Sequence, residues 1–204
     1  MSLPLLTKKG KNHFERRVLQ KMSNETKPLT AALLPDHYCQ AIRNLLYVSQ
    51  VSFILGIWGG LMGTELRMRL SYDQVPPGPH LEATIYLSLL HGHLFSIGGF
   101  LPICMCALLV FSRQIGAKPI SKKFLPKVIF LYIVGGVLSV ALLLVRGIQT
   151  SAMAQTESDF SVIESKILYS NILRLLIYLI SHVTLTAGIC IFMFLVGYSL
   201  RSTI

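Results

Sequence analysis

Charge is scarce in this sequence. Of its 204 residues 14% are charged and 52% hydrophobic, with a mean hydropathy of +0.59. A soluble domain carries about 25% charged residues, and one core in a chain this short cannot absorb so much apolar surface. A soluble globule is therefore excluded, and the same richness in Leu, Ile, Val and Phe excludes a disordered chain. Acid is scarcer still, with nine Asp and Glu against nineteen Lys and Arg. Cysteine is limited to Cys39, Cys104, Cys106 and Cys190, which repeat at no metal or disulfide spacing and are read as small core residues. No G-x-x-x-x-G-K, H-E-x-x-H or G-x-S-x-G occurs and no acid falls deep in an apolar run, which argues against a P-loop engine, a zincin, an acyl-transfer hydrolase or a carboxylate-based proton carrier.

What is present is apolar length. Residues 1–44 are polar and basic, without a signal-peptide-like run, and have room for a short amphipathic helix around 12–22. Four apolar stretches follow, at about 45–64, 84–112, 128–147 and 168–200, each reaching the roughly 20 residues that span hydrocarbon. They lack the period-two alternation of barrel strands, and lipid leaves backbone groups no partner outside a helix. The fold class expected is all-α, an integral membrane four-helix bundle over 45–204 behind a basic 1–44 segment.

The basic excess would suit nucleic acid if it formed a patch on a soluble face. It gathers instead between the apolar runs, so no nucleic-acid partner is expected and membrane lipid is. Fourteen Lys and Arg fall in the segments on one side of the membrane and five on the other. The positive-inside rule then puts both termini on the cytoplasmic or matrix side and makes the second and fourth spans parallel. Small residues on the first span (Gly56, Gly59, Gly60, Gly63), the second (Gly92, Ser96, Gly99) and the third (Gly135, Gly136) mark where helices can approach closely.

Three histidines lie within the spans, where an imidazole is costly and a functional candidate. His91 and His93 are seven and nine residues past Thr84, and His182 is seven past Leu175. At 1.5 Å per residue all three sit roughly 10 to 14 Å below the outer surface. Two imidazoles at matched depth on parallel helices can ligate one iron as a low-spin, bis-histidine, non-covalent haem; no C-x-x-C-H occurs for covalent attachment. His91 and His93 are about 200° apart around their helix and cannot share a ligand. His93 shares its face with Tyr86, Leu89, Leu90, Ile97 and Phe100 and is favoured, with His91 the alternative. Arg67 and Arg69, with Arg146 and Arg174, fall near the outer rim where propionates need cations. The bland reading is that each histidine is a neutral residue bonded to a neighbouring helix. A His, an Arg and an apolar slot at the outer half of the first two spans would also suit a quinone.

The stretch Gly56 to Thr64 reads GIWGGLMGT, Pro77-Gly78 follows, and Ile85-Tyr86 leads by six residues to His93-x-Phe95. This order of motifs resembles the first two transmembrane helices of the haem-copper oxidase (cytochrome c oxidase) subunit I family, with G-x-W-x-G-x-x-G-T in its first helix and I-Y-x(6)-H-x-F in its second. The resemblance covers about residues 53–95. It implies that His93 is an axial ligand of a low-spin haem of a or b type. The chain departs from the family in its few spans and in having no match to the copper-ligating histidines, the active-site tyrosine or the later helix with the second low-spin ligand, so it does not reduce oxygen alone. With His182 supplying the second ligand, the expectation is an electron-transferring subunit of a respiratory-type redox complex. It would work with other integral membrane subunits in an energy-transducing membrane, a bacterial or archaeal plasma membrane or the mitochondrial inner membrane. The alternative is a haem-free structural or assembly subunit of a larger membrane complex.

Overall fold

The computed structural model describes residues 34–69, 77–167 and 171–201. Among these the elements are α1 (Asp36–Arg69), α2 (Pro77–His93), a π-helical stretch (Leu94–Phe100), α3 (Leu101–Gln114), α4 (Leu125–Met153), the short α5 (Phe160–Lys166) and α6 (Asn171–Arg201). The described residues contain no strand. Four helices are long and apolar enough to cross a membrane: residues 36–65, 84–114, 125–153 and 172–201. The amphipathic helix expected around 12–22 lies outside the described residues.

The first span begins earlier than its apolar run. Residues 36–44 carry Asp36, His37, Gln40, Arg43 and Asn44, yet Tyr38, Ala41 and Leu45 recur at helical spacing and are buried, so the compact unit starts at Pro35. The Tyr38 hydroxyl accepts the Ile120 N–H at 2.8 Å, His37 Nε2 donates to the Ile120 carbonyl at 2.8 Å, and the Ser199 hydroxyl donates to the Lys118 carbonyl. These bonds gather the start of α1, the α3–α4 loop and the end of α6 at one end of the bundle. That end holds Arg43, Arg113, Lys118, Lys122, Lys123, Lys127 and Arg201, with Asp36 the one carboxylate among its described residues.

The second span runs through α2, the π stretch and α3 without a break. Its cause is Pro102, which offers no N–H and whose ring crowds the carbonyl four residues back. The chain widens for a turn, and the Leu101 N–H reaches the Ser96 carbonyl five residues earlier. At its far end Gly116 adopts φ 87°, the Ala117 N–H bonds the Ser112 carbonyl at 2.9 Å and the Gly116 N–H bonds the Arg113 carbonyl at 3.1 Å. This is a Schellman stop, which needs a residue that enters the left-handed region without strain.

α4 is the element against which the others pack. Leu143 closes with Leu87, Leu90 and Leu94 of the second span into a buried cluster, and the Tyr132 hydroxyl donates to the Ile97 carbonyl. On its other side α4 meets α6 at backbone distance: a Cβ on Gly188 would lie 2.8 Å from Tyr132 Cα. Buried Ser139 and Ser181 lie on these same two helices. Without a hydrophobic drive in lipid, such close approach supplies much of the association energy. Gly92, in contrast, meets nothing within 4 Å, and the reading of the cysteines as core residues holds only for Cys106, since Cys39, Cys104 and Cys190 are exposed on the outer faces of the helices.

Candidate functional site

His91 faces α1. Its Nδ1 lies 2.7 Å from the Gly56 carbonyl oxygen, and because a carbonyl can only accept, Nδ1 is the donor and carries the proton. The ring lies edge-on to Phe95 with centroids 4.6 Å apart. The first span admits both rings through its glycines: a Cβ on Gly60 would stand 2.9 Å from His91 Nδ1, and one on Gly56 would stand 2.8 Å from Phe95 Cε2. The GIWGGLMGT and HGHLF segments thus pack on one another, glycine against ring.

His93 and His182 follow a different pattern. His93 Nδ1 donates to the Leu89 carbonyl at 2.8 Å, and His182 Nδ1 donates to the Tyr178 carbonyl at 2.9 Å, each four residues back on its own helix. Both rings are half-buried. The His182 ring stacks on Tyr178 at 4.3 Å with an interplanar angle of 8°. His182 Nδ1 also lies 3.1 Å from the Ser181 hydroxyl, and in both residues Nδ1 is the nitrogen turned to the helix, which leaves Nε2 as the other. An imidazole that ligates a metal is oriented in this way, its other ring N–H held by a carbonyl.

At the end of the bundle opposite the basic loop lies a charged cluster that the hydropathy pattern did not reveal. Arg146 of α4 reaches Glu164 of α5 at 3.1 Å, Arg174 of α6 reaches the same carboxylate at 2.6 Å, and Arg174 also donates to the Glu164 carbonyl at 3.0 Å. Arg146 donates to the Tyr86 hydroxyl of α2, with its guanidinium carbon 4.1 Å from the ring centroid. One carboxylate therefore joins α4, α5 and α6, and Arg146 ties α2 to them. The signal in the sequence was Arg146 itself, a lone charge in the apolar third run that needs a counter-ion. Arg146 Nε and the Thr150 hydroxyl, one helical turn apart, are buried without a partner among the described residues. Arg67 and Arg69 fall on the last turns of α1, and their side chains lie outside the described part.

Tyr86 and Arg174 join this cluster through Arg146 and Glu164, and the two histidine helices, α2 and α6, each pack against α4. His93 is seven residues from Tyr86 and His182 eight from Arg174, or about 10 and 12 Å along their helices. Among the described residues no three of His, Cys, Asp and Glu form a metal-binding group, so a metal fixed by protein ligands alone has no ready site there, whereas a haem needs only two axial ligands. A groove of about 750 Å³ lies between α1 and α2 and is lined by Gly60, Thr64, Thr84, Ser88 and His91, where the quinone slot was expected. No family model, curated protein or solved structure matches this chain.

Proposed function

We propose that this chain is a membrane subunit of a respiratory-type redox complex and holds one low-spin haem through His93 and His182. The observation that carries the reading is a hydrogen-bond pattern common to the two: each imidazole bonds its own helix through Nδ1 and leaves Nε2 for a ligand. The depth match below the Tyr86–Arg146–Glu164–Arg174 cluster supports it, as does the resemblance of residues 53–95 to the first two helices of haem-copper oxidase subunit I. The rim chemistry fits as well, since the buried Arg146 Nε and Thr150 hydroxyl are donors that a propionate accepts. Two arginines around Glu164 leave the cluster one positive charge in excess. A bound haem would supply one-electron carriage at that depth. The chain's own part is to orient two imidazoles, to keep water from them with apolar helices and to balance charge at the rim. The membrane is an energy-transducing one, with the basic end on the cytoplasmic or matrix side, and other integral subunits provide donor and acceptor.

His91 takes the structural role in this scheme. Its bond to the Gly56 carbonyl on the neighbouring helix is also the observation that favours the second reading, a haem-free scaffold or assembly subunit whose histidines serve packing alone. A reduced-minus-oxidised spectrum of the purified full chain separates the two. A sharp a- or b-type band that is lost in His93→Ala and retained in His91→Leu is expected, while a featureless spectrum from folded protein leaves only the scaffold.

A further inference from the structure

At the basic end a groove of about 440 Å³ runs between the first turns of α1 and α4, walled by His37, Gln40, Asn44, Lys127, Phe130 and Ile133. It exists because residues 36–44 are helical and pack beside α4. Its chemistry changes along its length. Gln40 and Lys127 stand toward the starts of their helices, Asn44 lies a turn further along α1 and Phe130 and Ile133 one to two turns further along α4, with Phe130 68% exposed so that the groove opens sideways into the hydrocarbon. Lys127 has no ion-pair partner among the described residues, and the surrounding surface is cationic, with Arg43, Lys122 and Lys123 nearby in sequence and Asp36 the one carboxylate among the described residues of that end. His37 is fixed by its bond to Ile120 and forms a rigid wall.

We infer that this groove binds an anionic phospholipid, its phosphodiester at Lys127 with the Gln40 amide as donor and an acyl chain along Phe130 and Ile133. Charge complementarity selects the headgroup, and the passage from polar mouth to apolar floor selects a lipid over a soluble anion. A membrane-facing groove with a cation at interface depth and an aromatic one turn deeper matches the two parts of such a molecule. The inference rests on the membrane-spanning fold and stands or falls apart from the haem reading.

The test is native mass spectrometry of the full chain released from mixed phosphatidylcholine and phosphatidylglycerol vesicles. Retention of phosphatidylglycerol over phosphatidylcholine is expected in wild type. Lys127→Ala lowers that preference about fivefold, Lys122→Ala leaves it unchanged, and Asn44→Trp, which fills the groove from an exposed position, abolishes retention even if the Lys127 variant fails to fold. Equal losses in the Lys127 and Lys122 variants would mark a diffuse basic surface and overturn the site. So would an absence of preference in wild type, or displacement of the lipid by inorganic phosphate at matched ionic strength, which would mark a free-phosphate site instead.

Discussion

His91 Nδ1 stands 2.7 Å from the Gly56 carbonyl oxygen, so the second span is hydrogen-bonded to the first at the point where glycines let the ring approach the backbone. Among the described residues His93, two residues on, bonds the Leu89 carbonyl of its own helix. The pair in H-G-H therefore divides between a bond that joins two helices and a bond within one.

His91→Leu removes the interhelical bond while keeping an apolar side chain against Phe95. A loss of about 1 kcal/mol is expected, the size of a polar contact between helices in lipid, read as unfolding in detergent by urea or sodium dodecyl sulfate. A variant as stable as wild type contradicts the structural role given to His91.

Glu164→Gln leaves Arg146 and Arg174 facing each other without the carboxylate that separates them. A destabilisation of about 2 kcal/mol is expected from the loss of charge-assisted bonds, in thermal unfolding monitored by helical circular dichroism. Glu157→Gln, outside the ion-pair network, serves as the comparison. Equal effects from both substitutions would show that the Arg–Glu–Arg cluster contributes nothing beyond surface charge.

Gly188→Ala drives a methyl to 2.8 Å from Tyr132 Cα, a backbone atom that cannot step aside. Gly136→Ala meets only Ile97 Cγ2, at 3.9 Å. Overpacking costs about 1 to 3 kcal/mol, so the first variant melts well below wild type and the second alongside it. Matching melting temperatures would mean that α4 and α6 are not in backbone contact.

Asp159 caps α5: its carboxylate accepts the Ser161 N–H at 2.8 Å and the Ser161 hydroxyl at 2.7 Å. Those bonds hold its pKa below the usual carboxylate value. A depressed carboxyl pKa stabilises above the unfolded value, near 4 for aspartate, and the gain fades as pH falls through the folded value. Thermal unfolding of wild type and Asp159→Ala should therefore differ at pH 6 and converge below pH 4. A difference that persists in acid assigns the effect to something other than the ionised cap.

The spans were legible in the sequence because hydropathy registers length, and their cores agree with the apolar runs. The start of α1 was hidden: in residues 36–44 the buried Tyr38 and Ala41 alternate with polar residues, and average hydropathy erases the helical period. The π stretch announced itself only as Pro102, and how a helix accommodates a proline depends on its neighbours, here Ser52 and Phe53 of α1 against Gly98 and Gly99. The separation of His91 from His93 followed from helical angle, but which of the two met α1 required coordinates. Glu164 was illegible because its partners lie on other helices, 18 and 10 residues away in sequence.

Haemin titration of the full chain in detergent tests the proposed roles of His93 and His182 most directly. Saturation at one haem per chain, with a low-spin spectrum lost in both His93→Ala and His182→Ala and retained in His91→Leu, is the result expected. Folded wild-type protein that takes up no haem, or takes it up equally well without either histidine, would contradict the redox function.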